Sequence, residues 1–295
     1  MSRSIAPILP TQANVELISA NEFRGRAEVG SRVPAIVREC RHGTMAFLPG
    51  DKYIGRSLGL YGEFSEIEGQ LFSRLLRPDD VVIEGGANIG AHTVHLAKLV
   101  GPRGKVLAYE PQRAIFRLLR ANLALNKLSN VRALRAAVGR RAGWLPVPVV
   151  DYAAKGNFGG VSLRNARSGH PVRVIALDSL RLSAVRLLKL DVEGMEIAAL
   201  RGARRLISRH RPLLYVENDR PENSRTLVGL IARFGYQMWW HLPPLFNPRN
   251  YAGNRANVFG RIVSANLLCA PRETAETIEQ FLALPGPAVS LHRCD

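Results

Sequence analysis

Three cysteines in 295 residues, Cys40, Cys269 and Cys294, are too few and too far apart for a disulfide framework, and no C-x-x-C pair suggests a zinc site. A reducing compartment fits that usage. No uninterrupted apolar run approaches the roughly 18 residues that a bilayer span needs, and the opening Met1-Ser-Arg-Ser-Ile-Ala-Pro-Ile-Leu-Pro lacks an apolar leader core. A soluble, cytoplasmic protein is expected. Acidic residues are also short: 24 Asp+Glu face 41 Lys+Arg, a formal charge of +17. Such a field attracts anions. The basic residues are nonetheless spread through 113–120, 132–141, 164–173 and 201–211, without a dense block, a basic tail or an RNA-binding signature. Solvated helix faces account for most of that pattern. An acidic glycan, lipid head group or membrane surface is the next reading, and nucleic acid is the least favoured.

What is present is a regular alternation. With 46% apolar residues the chain can bury one substantial core, and alternating strand-like and helix-like runs through its middle argue for the α/β class. Residues 1–78 differ in texture: strand-like Ala35-Ile36-Val37 and Met45-Ala46-Phe47-Leu48, with Pro49-Gly50-Asp51 marking a turn, suggest a hairpin. A helix follows, with Ser65 as N-cap, Glu68 three residues on, and Ile67, Leu71 and Leu75 at helical spacing. From Val81 a βαβαβ half is expected: strand 81–84, helix 90–100, strand 105–109, helix 112–125, strand 131–137. An irregular excursion, 144–176, comes next and includes a strand-like 172–177. The second half predicts strand 185–190, helix 195–208, strand 212–216, helix 222–234, strand 236–240, and short strands at 258–259 and 266–268. Residues 79–270 form the expected main domain, 1–78 an extension on the acceptor side, and 271–295 a tail.

The sharpest local signal is Glu84-Gly85-Gly86-Ala87-Asn88-Ile89-Gly90, where an apolar strand ends in a carboxylate and a glycine-rich turn leads into a helix. Gly86 and Gly90 allow a tight turn and close backbone approach, and the helix N-terminus offers free N–H groups. Taken alone this could be a bare structural turn. Glu110, ending the next strand 20 residues after Gly90 and followed by Pro111, supplies the context: an acid there can accept hydrogen bonds from ribose hydroxyls. A nucleoside cofactor follows. NAD is the competitor, because Gly85-x-Ala87-x-x-Gly90 can be set on its template. Glu84 favours S-adenosylmethionine (SAM), since a carboxylate suits the cationic methionine end and poorly suits a diphosphate.

Together these segments resemble the FkbM family of SAM-dependent methyltransferases. The matching stretches are 81–90, Tyr109-Glu110-Pro111-Gln112, Leu188-Lys-Leu-Asp-Val-Glu-Gly-Met-Glu196 and Leu200-Arg-Gly-Ala203, followed by Glu217, over roughly residues 60 to 240. Glu84 departs from the Asp more usual there but keeps the carboxylate. The resemblance implies a Rossmann-like, seven-strand-type class I sheet, SAM as cofactor, and O-methylation of a hydroxyl on a saccharide, glycolipid or secondary metabolite. An NAD-dependent oxidoreductase and a non-catalytic SAM-binding module are the rival readings.

The cofactor residues expected are therefore Glu84, Gly85, Gly86, Ala87, Asn88, Gly90, Glu110, Pro111 and Asp191. Asp191, Glu193 and Glu217 are the candidate catalytic acids, at strand ends where open α/β sheets place their crevice. Helix capping by Asp191, with Glu193 and Glu196 complementing the helix dipole, stands beside that reading. No metal is required, although Asp191, Glu217 and Asn218 would offer oxygen ligands to Mg²⁺. His92 and His95 read as packing residues, His170 as a weak candidate base, and Trp239 and Trp240 as either core or a sugar-stacking wall.

Overall fold

The computed structural model describes residues 35–283 and 290–294. Residues 1–34, which belong to the expected extension, lie outside the described residues. Strands β1 (Ile36–Cys40) and β2 (Gly43–Phe47) pair antiparallel as a hairpin. Its turn is Arg41-His42, and Pro49-Gly50-Asp51 leads instead into helix α1 (Ile54–Tyr61). Helix α2 (Glu66–Leu75) follows. Ser65 starts it, but with φ of 44° its hydroxyl donates to Glu68 Oε1 at 2.7 Å rather than capping a backbone N–H.

The alternation then unfolds as β3 (Val81–Gly85), α3 (Ala91–Val100), β4 (Lys105–Tyr109), α4 (Arg113–Leu125), β5 (Val131–Leu134) and β6 (Ala136–Val138). The expected strand 131–137 is thus two, because the chain leaves the main sheet after Leu134. β6, β7 (Gly143–Val147) and β8 (His170–Ile175) make a separate three-stranded sheet in the order β6-β8-β7. Beyond it come β9 (Leu187–Leu190), α5 (Glu196–Arg201), α6 (Arg204–His210), β10 (Leu213–Glu217), α7 (Pro221–Arg233), β11 (Tyr236–His241), β12 (Asn266–Pro271), α8 (Arg272–Ala283) and β13 (Leu291–Arg293). The single helix expected over 195–208 breaks at Gly202, where a Cβ would lie 2.1 Å from the Gly139 carbonyl oxygen.

The main sheet has the order β13-β11-β12-β10-β9-β3-β4-β5. Strands β5, β4, β3, β9 and β10 are parallel, while β12 runs antiparallel between β10 and β11. This is the expected Rossmann-like class, with helices on both faces covering two apolar layers. The strand order reverses at β3 and β9, so their C-terminal tips open a crevice.

Two boundaries move. The expected tail beyond 271 is packed: Ala275, Ile278 and Leu282 of α8 are buried, and β13 pairs with β11. Val258-Phe259 is no strand; Phe259 is buried against Tyr53 and Tyr61, and the single bridge in that segment joins Pro244 to Val263. Among the described residues no helix is long and apolar enough to cross a membrane.

Candidate active site

One cavity of about 320 Å³ opens over the tips of β3, β4, β9 and β10. Glu84, Gly86, Ala87, Asn88, Glu110 and Pro111 line it, as do Asp191, Glu193 and Glu217. Gly85 and Gly90 do not. Gly85 packs behind the wall, where a Cβ would sit 3.0 Å from Leu190, and Gly90 starts α3 beneath the turn with φ of 88°. The residue types explain the turn. At Gly86, φ is 81° and a Cβ would fall 1.7 Å from the Asp191 carbonyl oxygen. Only glycine lets the turn after β3 pass against the end of β9. The obstacle at Gly86 is therefore the neighbouring backbone rather than a ligand.

Glu110 is held ready for a partner. Its carboxylate accepts the backbone N–H of Asn88 at 3.0 Å and of Gln112 at 2.8 Å, while burial pushes its pKa up to about 7. The apolar wall beside it is formed by Tyr109 and Ala136–Val138. Across the cavity floor, Glu84 is fully buried; Thr93 donates to it at 2.6 Å, and Lys189 lies 3.7 Å away. Burial raises the Glu84 pKa against the lowering effect of Lys189.

Lys189 was not singled out from the sequence. It points from the middle of β9 into the floor, 2% exposed, with Asp191 at 3.6 Å and Glu84 at 3.7 Å. Burial alone would lower its pKa, yet it is raised, because Asp191, Glu84, Glu68 and Glu217 surround it. The signal was a lysine inside the apolar run Leu187-Leu-Lys-Leu190: a charge in a buried strand needs partners. Behind it Tyr215 shares a hydrogen bond with His241 Nδ1 at 2.8 Å, and Glu68 accepts from Ser65. His92 also lines the cavity, 3.7 Å from Glu68, and burial holds its pKa well below the usual value, so its imidazole is neutral. His95 is packed, bonded to Ser73 and Gly69. His170 is exposed at the start of β8, away from the cavity lining. Trp239 is core, and neither it nor Trp240 reaches the cavity.

The acids at the tips divide their roles. Glu196 takes the capping part, accepting N–H groups of Val192 and Gly194 at 3.0 and 3.1 Å. Asp191 does not cap; its side chain is 41% exposed beside Lys189. Glu193 meets Arg220 at 2.6 Å, and burial with the Asp191 charge pushes its pKa up to about 8. Glu217 is raised much further by burial and by Asp191, and its Oε2 has no hydrogen-bond partner among the described residues. Carboxylate oxygens of Asp191, Glu193 and Glu217 lie within 4.8 Å of one another, a spacing a divalent cation can use. Asn218, considered as a third ligand, instead donates to Ser224 at 2.9 Å.

Three flanking segments roof the cavity. The excursion reaches over Glu110, where Gln112 donates to the Phe158 carbonyl at 2.9 Å and Tyr152 donates to Gln112 at 2.9 Å. It also meets the N-terminal region through Lys52 N–H to Gly156 O at 2.8 Å. The strap between β11 and β12 was not assigned to the site from sequence. Leu245 and Ile262–Ala265 from this strap line the cavity, and Glu63 anchors it by accepting from Asn247 and from the Tyr251 N–H, each at 2.8 Å.

A run of five parallel strands, with β12 reversed between β10 and β11 and an acid-floored cavity at the switch point, has the class I methyltransferase architecture. The chain belongs to the methyltransferase FkbM domain family, whose profile matches residues 84–238. Membership makes S-adenosylmethionine the cofactor. Methyltransferase 1 of Beauveria bassiana is 30% identical over 152 residues, 42% of this chain and 59% of that protein. Methyltransferase sdnD of Sordaria araneosa is 30% identical over 154 residues, 41% and 59% of the respective chains. The chain therefore spans less than two thirds of these relatives' length. Among solved structures, methyltransferase FkbM from Methylobacillus flagellatus matches with 19% identity and a TM-score of 0.44, covering 68% of this chain and 50% of that one.

The residues present fit that cofactor. Glu110 can offer acceptors to vicinal hydroxyls, the Tyr109 and Ala136–Val138 wall can take a nucleobase, and Glu84 can offer negative charge to a cationic end. A diphosphate fits poorly, because Lys189, the one Lys or Arg of the lining among the described residues, is already ringed by acids.

Proposed function

We propose that the chain transfers a methyl group from S-adenosylmethionine to a hydroxyl of a saccharide, glycolipid or secondary metabolite. The observation that carries this reading is the half-exposed Asp191 carboxylate, set over the buried Glu84 and Glu68 and held by Lys189 at 3.6 Å. When bound, the cofactor supplies an electrophilic methyl group on a cationic sulfur. An alcohol is a weak nucleophile, so the chain must orient its oxygen and accept its proton. Asp191 is the group we assign to both tasks. Glu217, pushed far above the carboxylate range, carries a proton at neutral pH and can donate a hydrogen bond to the acceptor. Glu193, tied to Arg220, positions the Asp191 turn.

The acceptor side is assigned to the N-terminal region, the excursion and the strap. Phe64, Leu245, Ile262 and Val263 make its rim apolar, while the floor carries acids. Both features favour an acceptor without a negative charge next to the reacting hydroxyl. Incubating the protein with methyl-labelled SAM and fractionated cell extracts tests the assignment. Label in a neutral, alkali-stable product is expected, as an ether resists base and an ester does not. SAM binding without label in any fraction would make the chain a binding module instead.

A further inference from the structure

Seen along the sequence, the arginines are dispersed; in the fold, eight of them meet. Arg140 and Arg141 follow β6, Arg201 ends α5, Arg204 and Arg209 stand on α6, and Arg233 ends α7. Those six are exposed and have no carboxylate partner among the described residues. Arg205 and Arg211 complete the set, each with one acid: Asp178 at 3.6 Å and Glu273 at 2.7 Å. Together they line a groove of about 1220 Å³ in which Asp178 is the sole acid among the described residues. No residue of this groove lines the cofactor cavity.

Helix electrostatics explains part of the set. Arg201, Arg209 and Arg233 lie in last turns, where a cation complements the dipole. Arg204 and Arg205 open α6, with no acid in its first turn, and Arg140 and Arg141 are on no helix at all. Gathering these like charges costs electrostatic energy in the free protein and requires another reason. Guanidinium groups present planar forks that match phosphate oxygens in pairs. The apolar lining residues Ile207 and Leu230 are buried and Phe234 is half-buried, which leaves neither a stacking platform for bases nor an anchor for acyl chains. A headgroup plane cannot follow a concave groove; a chain of phosphates can.

We infer that this groove binds the phosphodiester backbone of a nucleic acid without regard to sequence, as an anchoring site separate from the methyl-transfer cavity. Charge neutralised in the groove releases counterions, so affinity depends steeply on salt. The test uses the full chain and a fluorescein-labelled RNA duplex of about 20 base pairs, read by anisotropy over a salt series. Wild-type protein should bind with a Kd of about 10⁻⁶ M or tighter at low salt. Arg204→Ser/Arg205→Ser/Arg209→Ser should weaken binding at least about tenfold and flatten the log–log salt slope by about 2–3. Arg140→Ser/Arg141→Ser should weaken it from the other wall, whereas Arg255→Ser/Arg261→Ser, on the strap, should change it little. SAM affinity should stay at the wild-type value throughout, which separates this inference from the assignment of the cavity. Duplex affinity that the groove variants leave unchanged would overturn it. So would co-sedimentation with anionic phosphatidylglycerol vesicles that the groove variants abolish while the duplex is not bound.

Discussion

In Glu110→Gln, shape is kept while the charge and one acceptor oxygen are removed. Two backbone N–H groups, from Asn88 and Gln112, now point at that carboxylate, and an amide can satisfy only one of them. What remains for the ribose hydroxyls is at best one neutral acceptor. Losing charge-assisted hydrogen bonds costs about 1.5–3 kcal/mol, or about 10- to 150-fold in SAM affinity. The pH profile gives an independent check. Burial raises the carboxyl of the free protein to about 7, and the cofactor needs the ionised form. The protein therefore releases a proton as it binds, so affinity is full above about pH 8 and falls, toward tenfold per unit, as pH drops through about 7. In the Gln variant that slope should vanish. Calorimetric titration from about pH 6 to 8, with thermal melts as a folding control, measures both effects. An unchanged Kd in the folded variant, or the same pH slope in both proteins, would refute the assignment of Glu110.

Other perturbations have equally definite outcomes. Lys189→Met should lower stability by about 3–5 kcal/mol, because Glu84 and Glu68 are left buried without their cation; adding Glu84→Gln should restore part of it, read by denaturant melts. Asp191→Asn should remove methyl transfer and largely spare SAM affinity, since Glu84 still holds Lys189; robust turnover by the variant would overturn the base assignment. EDTA should leave the wild type active, whereas loss restored by Mg²⁺ would give the three acids at the tips to a metal. Gly86→Ala should yield misfolded or strongly destabilised protein, because its Cβ would overlap the Asp191 carbonyl; a soluble, fully stable variant would refute that packing.

The parts of the fold that were legible in the sequence are those specified locally. An apolar strand, a Gly-rich turn and an acid 20 residues later name one structure by themselves, and Glu84, Gly86, Asn88 and Glu110 do line one cavity. Features made by distant pairings were not legible. Lys189 reads as one polar residue in an apolar run until β3 brings Glu84 beside it. The break at Gly202 depends on the Gly139 backbone some sixty residues earlier in the chain, and β13 is too short and exposed to carry a periodicity. The strap likewise looked like a polar loop, because what fixes it, Glu63, lies far away in sequence. The N-terminal region shows how packing changes an experiment. Deleting residues 1–60 would not isolate the acceptor side, because Phe47 and Leu48 are core residues, and Asn122 bonds both the N–H and the carbonyl of Ala46 at 2.6 and 3.0 Å. Such a deletion would unfold the wall under α4. Substitution of rim residues such as Phe64 or Ile262 is the cleaner probe of the acceptor side.

We propose that this cavity moves a methyl group from SAM to a hydroxyl. The most direct measurement pairs formation of S-adenosylhomocysteine with recovery of methyl label in the acceptor, for the wild type and Asp191→Asn side by side. Equal amounts of both products are expected from the wild type, with an alkali-stable methylated acceptor, and neither product from the variant that still binds SAM. S-adenosylhomocysteine without a methylated acceptor, or label transferred equally by both proteins, would contradict it.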